Sequence, residues 1–489
     1  MKSVRTLGIS LLILLLFATH IVAQQRAFSA GTWTAIKHAP SVAIGHTMLL
    51  PDGSVLALAS TCNATGNWLR LVPDSTGSYV NGTWVAAGNL PAGYNPTYFA
   101  SQVLPSGLVA IFGGEYNACN KVWTTLGAYY NPQSNKWLPL NGPAGWATIG
   151  DAESITLPSG QMMLANCCTT DEAILTLSGG IASWTPTGSG KADANDEEGW
   201  TMLPGNNILV VDAYTSGGCC AKGFQIYNPK TGAWTTPAGN TVVNLVDAAS
   251  SELGPGALLP NGTVFYAGGT TNNAIYNVKT GKWAKAPSFG SGLDAADGPA
   301  AVLPDGNLLL DTSPGVFNNG SVFFEWDGTA LHKTSAPPNA PVDPSYAGNM
   351  LVLPTGQIFF TDFTTSVEIY TPTGSPCTGC APTITAVAST LTHGSINNSI
   401  RGTQLNGLTQ GSYYGDDNQS FTNYPLVRIT DSKGHIVFCK THGWHGWVAT
   451  GPIIVGVQFD IPSTIALGAA SLEVVTNGIP SLAVAVTIN

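Results

Sequence analysis

The sequence predicts an all-β protein, a seven-bladed β-propeller followed by an immunoglobulin-like β-sandwich. Three observations carry that expectation. A short turn, Leu-Pro-x-Gly, recurs between apolar runs with its leucine at Leu50, Leu104, Leu157, Leu259, Leu303 and Leu353. A degenerate copy, Leu203-Pro204-Gly205-Asn206, fills the one gap, so successive copies stand 54, 53, 46, 56, 44 and 50 residues apart. Proline presets the first corner of a turn and glycine supplies a positive φ, so each copy reads as a tight β-hairpin. A period near fifty with several short strands per repeat is the signature of a propeller. Composition agrees: of 489 residues, 57 are glycine and only 9% are charged, which suits short strands and tight turns. The third observation is a change of strand pattern after residue 374.

Taken in order, the chain opens with Lys2 and Arg5, an apolar run over 7–18 and Ile-Val-Ala ending at Ala23. That is the order of a secretory signal peptide over 1–23, cut after Ala23; an uncleaved N-terminal anchor is the alternative. No later run of eighteen apolar residues occurs, so no membrane span is expected. The mature protein is expected to be secreted, extracellular or periplasmic.

Residues 31–374 form the propeller. Each repeat has an apolar strand leading into the turn, a second strand, a third carrying an aromatic such as Tyr130 or Tyr227, and a fourth carrying tryptophan. The tryptophans are Trp84, Trp137, Trp184, Trp234 and Trp283, and they read as core packing rather than as a ligand cage. The stretch 31–36 is a lone fourth strand, while the last repeat lacks one. It therefore completes the last blade and closes the ring, removing free sheet edges. Residues 375–381 are a linker holding Cys377 and Cys380, and 382–489 form the sandwich, with runs such as TITAVAST, YPLVRITDS and VGVQFDIP.

Nine cysteines in an exported protein read as disulfides. Cys62, Cys119, Cys167, Cys168, Cys219 and Cys220 follow the second strands of neighbouring repeats, where inter-blade bridges are plausible among 15 pairings. Cys377 and Cys380 close locally, and Cys439 is left over. Net charge is −10 with 18 Lys and Arg, which argues against a nucleic-acid partner.

Positions six or seven before each turn's leucine fall at the start of the innermost strand and ring one mouth of the channel. They are Ile44, Tyr98, Asp151, Glu197 with Asp196, Glu252, Asp297 and Tyr346. With only 28 acidic residues in the chain, four successive blades carrying acid here is a notable concentration, although any wet channel mouth tolerates carboxylates. As a site, convergent carboxylates raise one another's pKa unless a cation intervenes. Oxygen donors alone favour Ca²⁺ or Mn²⁺; adding His442 or His445 shifts the preference to Zn²⁺ or Cu²⁺. Acids beside tyrosines, with Tyr116 a third ring, also suit a sugar, and a pair of carboxylates about 5 to 9 Å apart suits acid/base work on a glycosidic bond. Cys439-x-x-His442-x-x-His445 has metal-like spacing but lacks a fourth ligand. It reads better as a loop capping the axis, anchored by Trp444 and Trp447. His46 lies two residues from the ring.

The kelch-type repeats, the closing N-terminal strand and the sandwich ending in VTNGIPSLAVAVTI together resemble the galactose oxidase/glyoxal oxidase family. The resemblance implies a copper-radical centre that oxidises alcohols or aldehydes with O2. Its metal would be held by two tyrosines and two histidines, one tyrosine being cross-linked to a cysteine. Tyr98 stands where the cross-linked tyrosine is expected, Tyr346 where the axial tyrosine is, Tyr116 where the stacking aromatic is, and His442 where the sandwich histidine is. Ala347 replaces the histidine that follows the axial tyrosine, and the cysteine position falls near Ile44. The leading expectation is therefore an exported propeller recognising a carbohydrate or small polyol through Tyr116, Asp151, Glu197, Glu252 and Asp297. The alternatives are a metal-dependent alcohol or aldehyde oxidase with an altered centre (Tyr98, Tyr346, His442, with His445 as a further ligand) and a structural adhesion module. Copper and calcium are both candidate cofactors.

Overall fold

The computed structural model describes residues 28–59, 66–215, 218–235, 239–445 and 453–489. The signal-peptide stretch, Cys62 and Trp447 lie outside the described residues. No described helix is long and apolar enough to cross a membrane.

Seven four-stranded antiparallel arrays follow one another along the chain. The first is Ile44–Leu49, Val55–Ala59, Asn67–Val72 and Thr83–Asn89, paired in that order. The innermost strands of the next five are Ala100–Val103, Ser154–Thr156, Thr201–Met202, Leu253–Leu258 and Ala300–Val302. The seventh holds Asn349–Val352, Ile358–Thr361 and Val367–Thr371, and its fourth strand is the N-terminal Thr32–Ala35, with Trp33 opposite Tyr370.

The recurring turn joins the first two strands of each array. In every complete copy the glycine N–H donates to the leucine carbonyl, as in Gly53 to Leu50 at 2.9 Å and Gly306 to Leu303 at 2.9 Å. Those glycines have φ of 77° and 93°, and in the degenerate copy Asn206 takes the same conformation at 73°. Asparagine is among the few residues that tolerate it. Inner strands are buried on both faces, whereas outer strands are mostly exposed, with Trp137 and Trp234 buried and Trp84, Trp184 and Trp283 half-buried. Trp184 meets Phe112 of the preceding sheet with centroids 5.0 Å apart, and Trp283 meets Phe224 at 5.5 Å, so the tryptophans cement one sheet to the next.

Beyond residue 381 two sheets form. One pairs Thr383–Val387, Asn398–Thr403, Ile454–Phe459 and Thr441–His442; the other is built on Gly468–Thr476, flanked by Leu426–Thr430 and Val484–Ile488. Ile400, Val457 and Phe459 of the first are buried with Val427, Leu472 and Val486 of the second. Cys377 and Cys380 are disulfide-bonded, and Cys219 is bonded to its neighbour Cys220 rather than to another sheet. Cys167, Cys168 and Cys439 are free thiols.

The segment 407–424 leaves the C-terminal sheets and runs, almost wholly buried, into the space enclosed by the inner strands. Ser412–Tyr413 adds to the edge of Ala300–Val302 as a fifth strand. Val352 N donates to Ser412 Oγ at 2.9 Å, Met202 N to Gln410 Oε1 at 2.8 Å and Tyr413 Oη to Leu258 O at 3.1 Å. Farther along, Asn418 N donates to Phe99 O at 3.2 Å and Ser420 Oγ to Thr47 O at 2.7 Å. One loop thus plugs the centre and is held by six of the seven arrays.

Candidate functional site: an acidic, tyrosine-lined cavity

Each inner strand runs from the cavity end to its hairpin turn, so the residues just before it face the cavity. Tyr98, Glu197 and Asp297 hold left-handed φ values of 52°, 60° and 48°. That conformation costs a non-glycine residue on the order of 1–2 kcal/mol, and such strain gathers where a side chain must be aimed. Backbone bonds hold it: Asp297 N donates to Leu253 O at 3.0 Å, and Tyr98 O accepts from Glu115 N at 2.9 Å.

The tip of the plugging loop, Tyr414-Gly415-Asp416-Asp417, meets these entrances. It approaches closely enough that two glycines are required. A Cβ on Gly199 would lie 2.1 Å from Gly415 O, and one on Gly415 would lie 2.5 Å from Asp297 Oδ1. Tyr414 Oη donates to Tyr346 O at 2.6 Å, and Asp417 N donates to Asp416 Oδ1 at 2.7 Å, which fixes the tip.

The result is a cavity of about 610 Å³ lined by Tyr98, Tyr116, Tyr346, Tyr414, Phe317 and Phe363 and by seven carboxylates: Glu115, Asp151, Glu197, Glu252, Asp297, Asp416 and Asp417. Among the described residues no lysine, arginine or histidine lines it. Of these carboxylates, among the described residues, only Glu115 has a basic partner, Lys121 at 3.2 Å. One oxygen each of Glu197, Asp297 and Asp416 lies within 4.8 Å of the others. Burial pushes Asp297 up to about 7, with Asp151 and Glu115 adding repulsion. Burial likewise raises Asp151 to about 6, although Cys167 donates to it. Glu197, Glu252, Asp416 and Asp417 are all raised by burial and then by neighbouring carboxylates. Tyr98 is pushed up by burial and by Tyr346. Carboxyls raised in this way donate to a bound hydroxyl when protonated and accept from it when ionised.

The cavity brings together Tyr98, Tyr116, Asp151, Glu197, Glu252, Asp297 and Tyr346 of the sequence candidates. The rings form two groups: Tyr98 lies 6.3 Å from Tyr116 and 5.8 Å from Phe363, and Phe317 meets Tyr346 edge-on at 5.4 Å. Asp196 turns aside towards Cys167, Oδ1 to Sγ 3.8 Å. Ile44 is fully buried, and Leu58 and Ala59 represent the first sheet instead. His46 is buried against Phe99 with Nε2 2.9 Å from Ser101 Oγ, and burial lowers it to about 3, so it is neutral.

His442 and His445, candidates for the metal and catalytic set, do not line the cavity. Their segment is tied to the opposite ends of the inner strands: Thr441 N donates to Pro51 O and Gly443 N to Pro105 O, both in the hairpin turns. His442 Nε2 lies 3.2 Å from Asp460 Oδ1, and Trp444 stacks on Tyr424 at 5.1 Å. The loop that reaches the cavity is the earlier one, so Asp416 and Asp417 stand where a sandwich histidine was expected. Tyr414, Asp416, Asp417 and Glu115 were missed by the sequence reading. The available signal was a strandless polar stretch, GSYYGDDNQSFTN, longer than ordinary connections.

The family that the repeats resemble uses copper, and the donor set answers whether this cavity suits it. Among the described lining residues there is no histidine, the sulfur of Cys119 is held in a disulfide, Ala347 follows Tyr346, and Ile44 stands where the cross-linking cysteine is expected. A two-tyrosine, two-histidine copper centre does not fit these residues.

No protein-family model matches the chain, and no curated protein matches it. Solved structures do. A fungal alcohol oxidase of the AA5 family, described in complex with copper, aligns over 94% of this chain and 99% of its own at 13% identity and a TM-score of 0.52. A virginiamycin B lyase from Staphylococcus aureus aligns over 70% of this chain and 98% of its own at 8% identity and a TM-score of 0.45. The likeness to the alcohol oxidase establishes a shared all-β, galactose-oxidase-like fold.

Proposed function

We propose that this chain is an exported protein that binds a small polyhydroxylated molecule, a carbohydrate or small polyol. On this reading the seven arrays are blades of a kelch-type propeller, the C-terminal sheets are an immunoglobulin-like sandwich, and the ligand sits in the acidic cavity. The observation that carries the reading is the lining itself, seven carboxylates and four tyrosines with no basic side chain among the described residues. Sugar hydroxyls donate to carboxylates and accept from carboxylic acids and phenols, while the apolar sugar face stacks on rings such as Tyr116 and Phe363. The same field repels anions, so uronic and phosphorylated sugars are disfavoured. A concave site of this volume also favours a small ligand over the flat contact of an adhesion module. The AA5 alcohol oxidase shares the fold, but a described lining without histidine does not support its copper chemistry here.

The test is a glycan and polyol array followed by calorimetry on hits. Asp151→Ala combined with Tyr116→Ala is expected to weaken a neutral-sugar hit at least about tenfold, equivalent to about 1.4 kcal/mol. Binding unchanged in that pair would move the ligand out of the cavity.

A further inference from the structure

We propose that Glu197, Asp297 and Asp416 bind one hard divalent cation, Ca²⁺ or Mn²⁺. The three residues come from separate parts of the chain: the entrances to two inner strands and the tip of the plugging loop. Their nearest oxygens all lie within 4.8 Å of one another. Two oxygens bound to one ion at about 2.4 Å can be at most about 4.8 Å apart, so every pair of the three meets the condition for sharing an ion, and a small inward rotation of the side chains brings all three to it. Carboxylate oxygens with no nitrogen or sulfur among them select hard cations.

An independent observation points to a ligand rather than to a merely polar surface. Asp417, beside Asp416 in the cavity lining, is 1% exposed, and neither carboxylate oxygen has a hydrogen-bond partner. A buried acceptor with nothing to accept from carries a desolvation penalty of about 1–3 kcal/mol or more when charged. The site is distinct from a tyrosine–histidine copper centre, because its ligands are the carboxylates that separate this cavity from such a centre. It also stands without any sugar, so the two readings fail separately.

The test uses the full mature chain stripped with chelator. Mn²⁺ is titrated by electron paramagnetic resonance and Ca²⁺ by calorimetry and by competition against Mn²⁺, with no sugar present. The expected result is one saturable equivalent per chain, Ca²⁺ displacing Mn²⁺, and at least a tenfold weakening in Asp297→Asn combined with Asp416→Asn. Should that pair fail to fold, judged by circular dichroism, Glu197→Gln carries the same expectation. No saturable binding to the wild-type chain overturns the proposal, and so does binding that survives in the folded variants. Cation binding with a blank sugar array retires the polyol reading alone; a sugar hit without cation binding retires the cation alone.

Discussion

Glu197 and Glu198 are adjacent in the chain and end in two carboxylate clusters, one half-buried at the cavity and one buried, that solve the same electrostatic problem differently. Glu198 joins Asp193 and Asp212, and Lys191 reaches into that cluster, its Nζ 2.5 Å from Asp193 Oδ1 and 2.8 Å from Glu198 Oε2. Backbone donors take up other oxygens: Ala213 N donates to Glu198 Oε1 at 2.9 Å and Tyr214 N to Asp193 Oδ2 at 3.0 Å. Burial opposes the charge on Lys191, but Glu198 and Asp193 outweigh it and the ammonium is held protonated. Glu197, turned the other way by its left-handed backbone, joins Asp297 and Asp416, where the lining offers no cation. The difference shows which cluster is structural. The one that carries its own ammonium is neutralised from within, although Asp212 Oδ1 stays unpartnered, and the one open to the cavity is where we propose that a bound cation does the same.

The comparison breaks most visibly at Lys191. Replacing it with methionine leaves two or three carboxylates buried without their cation, and removing one partner of a buried pair destabilises by about 3–5 kcal/mol. Urea unfolding of Lys191→Met is expected to show a loss of that size. A loss under about 1 kcal/mol would mean that the ammonium is not what makes that cluster tolerable.

The open cluster is expected to reveal itself through pH. Asp297 titrates at about 7 and Asp151 at about 6 in the folded chain, against an ordinary carboxyl near 4. Both folded values are raised, so the native state holds protons that the unfolded chain has released between about pH 4 and 7. Stability is then full below about pH 4 and falls as pH rises through 6 and 7, by a few kcal/mol in total. Denaturant midpoints in chelator at pH 5 and pH 8 check this, with the lower midpoint expected at pH 8. Asp297→Asn is expected to flatten the slope, and a saturating hard cation to remove much of it.

Much of this arrangement was legible in the sequence because it is periodic. The turn fixes where every inner strand ends, counting back six or seven residues fixes where it begins, and so Tyr98, Asp151, Glu197, Glu252, Asp297 and Tyr346 could be gathered at one cavity. Asp416 and Asp417 belong to no repeat. They reach the centre only because Gly415 and Gly199 permit contact and because loop residues such as Gln410, Ser412 and Ser420 bond to strands up to some 370 residues away. Non-local pairing of that kind leaves no local pattern. Lys191 was equally silent, since a lone lysine in the sequence does not disclose that three acids surround it.

The smallest effect is expected at His442, where metal-like spacing gave the wrong emphasis. Its ring lies 3.2 Å from Asp460, and both side chains are partly exposed, at 18% and 26%. Exposed pairs of this kind contribute about 0–1 kcal/mol. His442→Ala should therefore shift the urea midpoint by less than that and leave the Mn²⁺ resonance titration of the cavity unchanged, because the segment holding it is tied to Pro51 and Pro105 at the far ends of the inner strands. A metal affinity that falls in His442→Ala would instead show that the two ends of the channel communicate through the plugging loop, and that the cavity's carboxylates depend on how the loop is seated at its base.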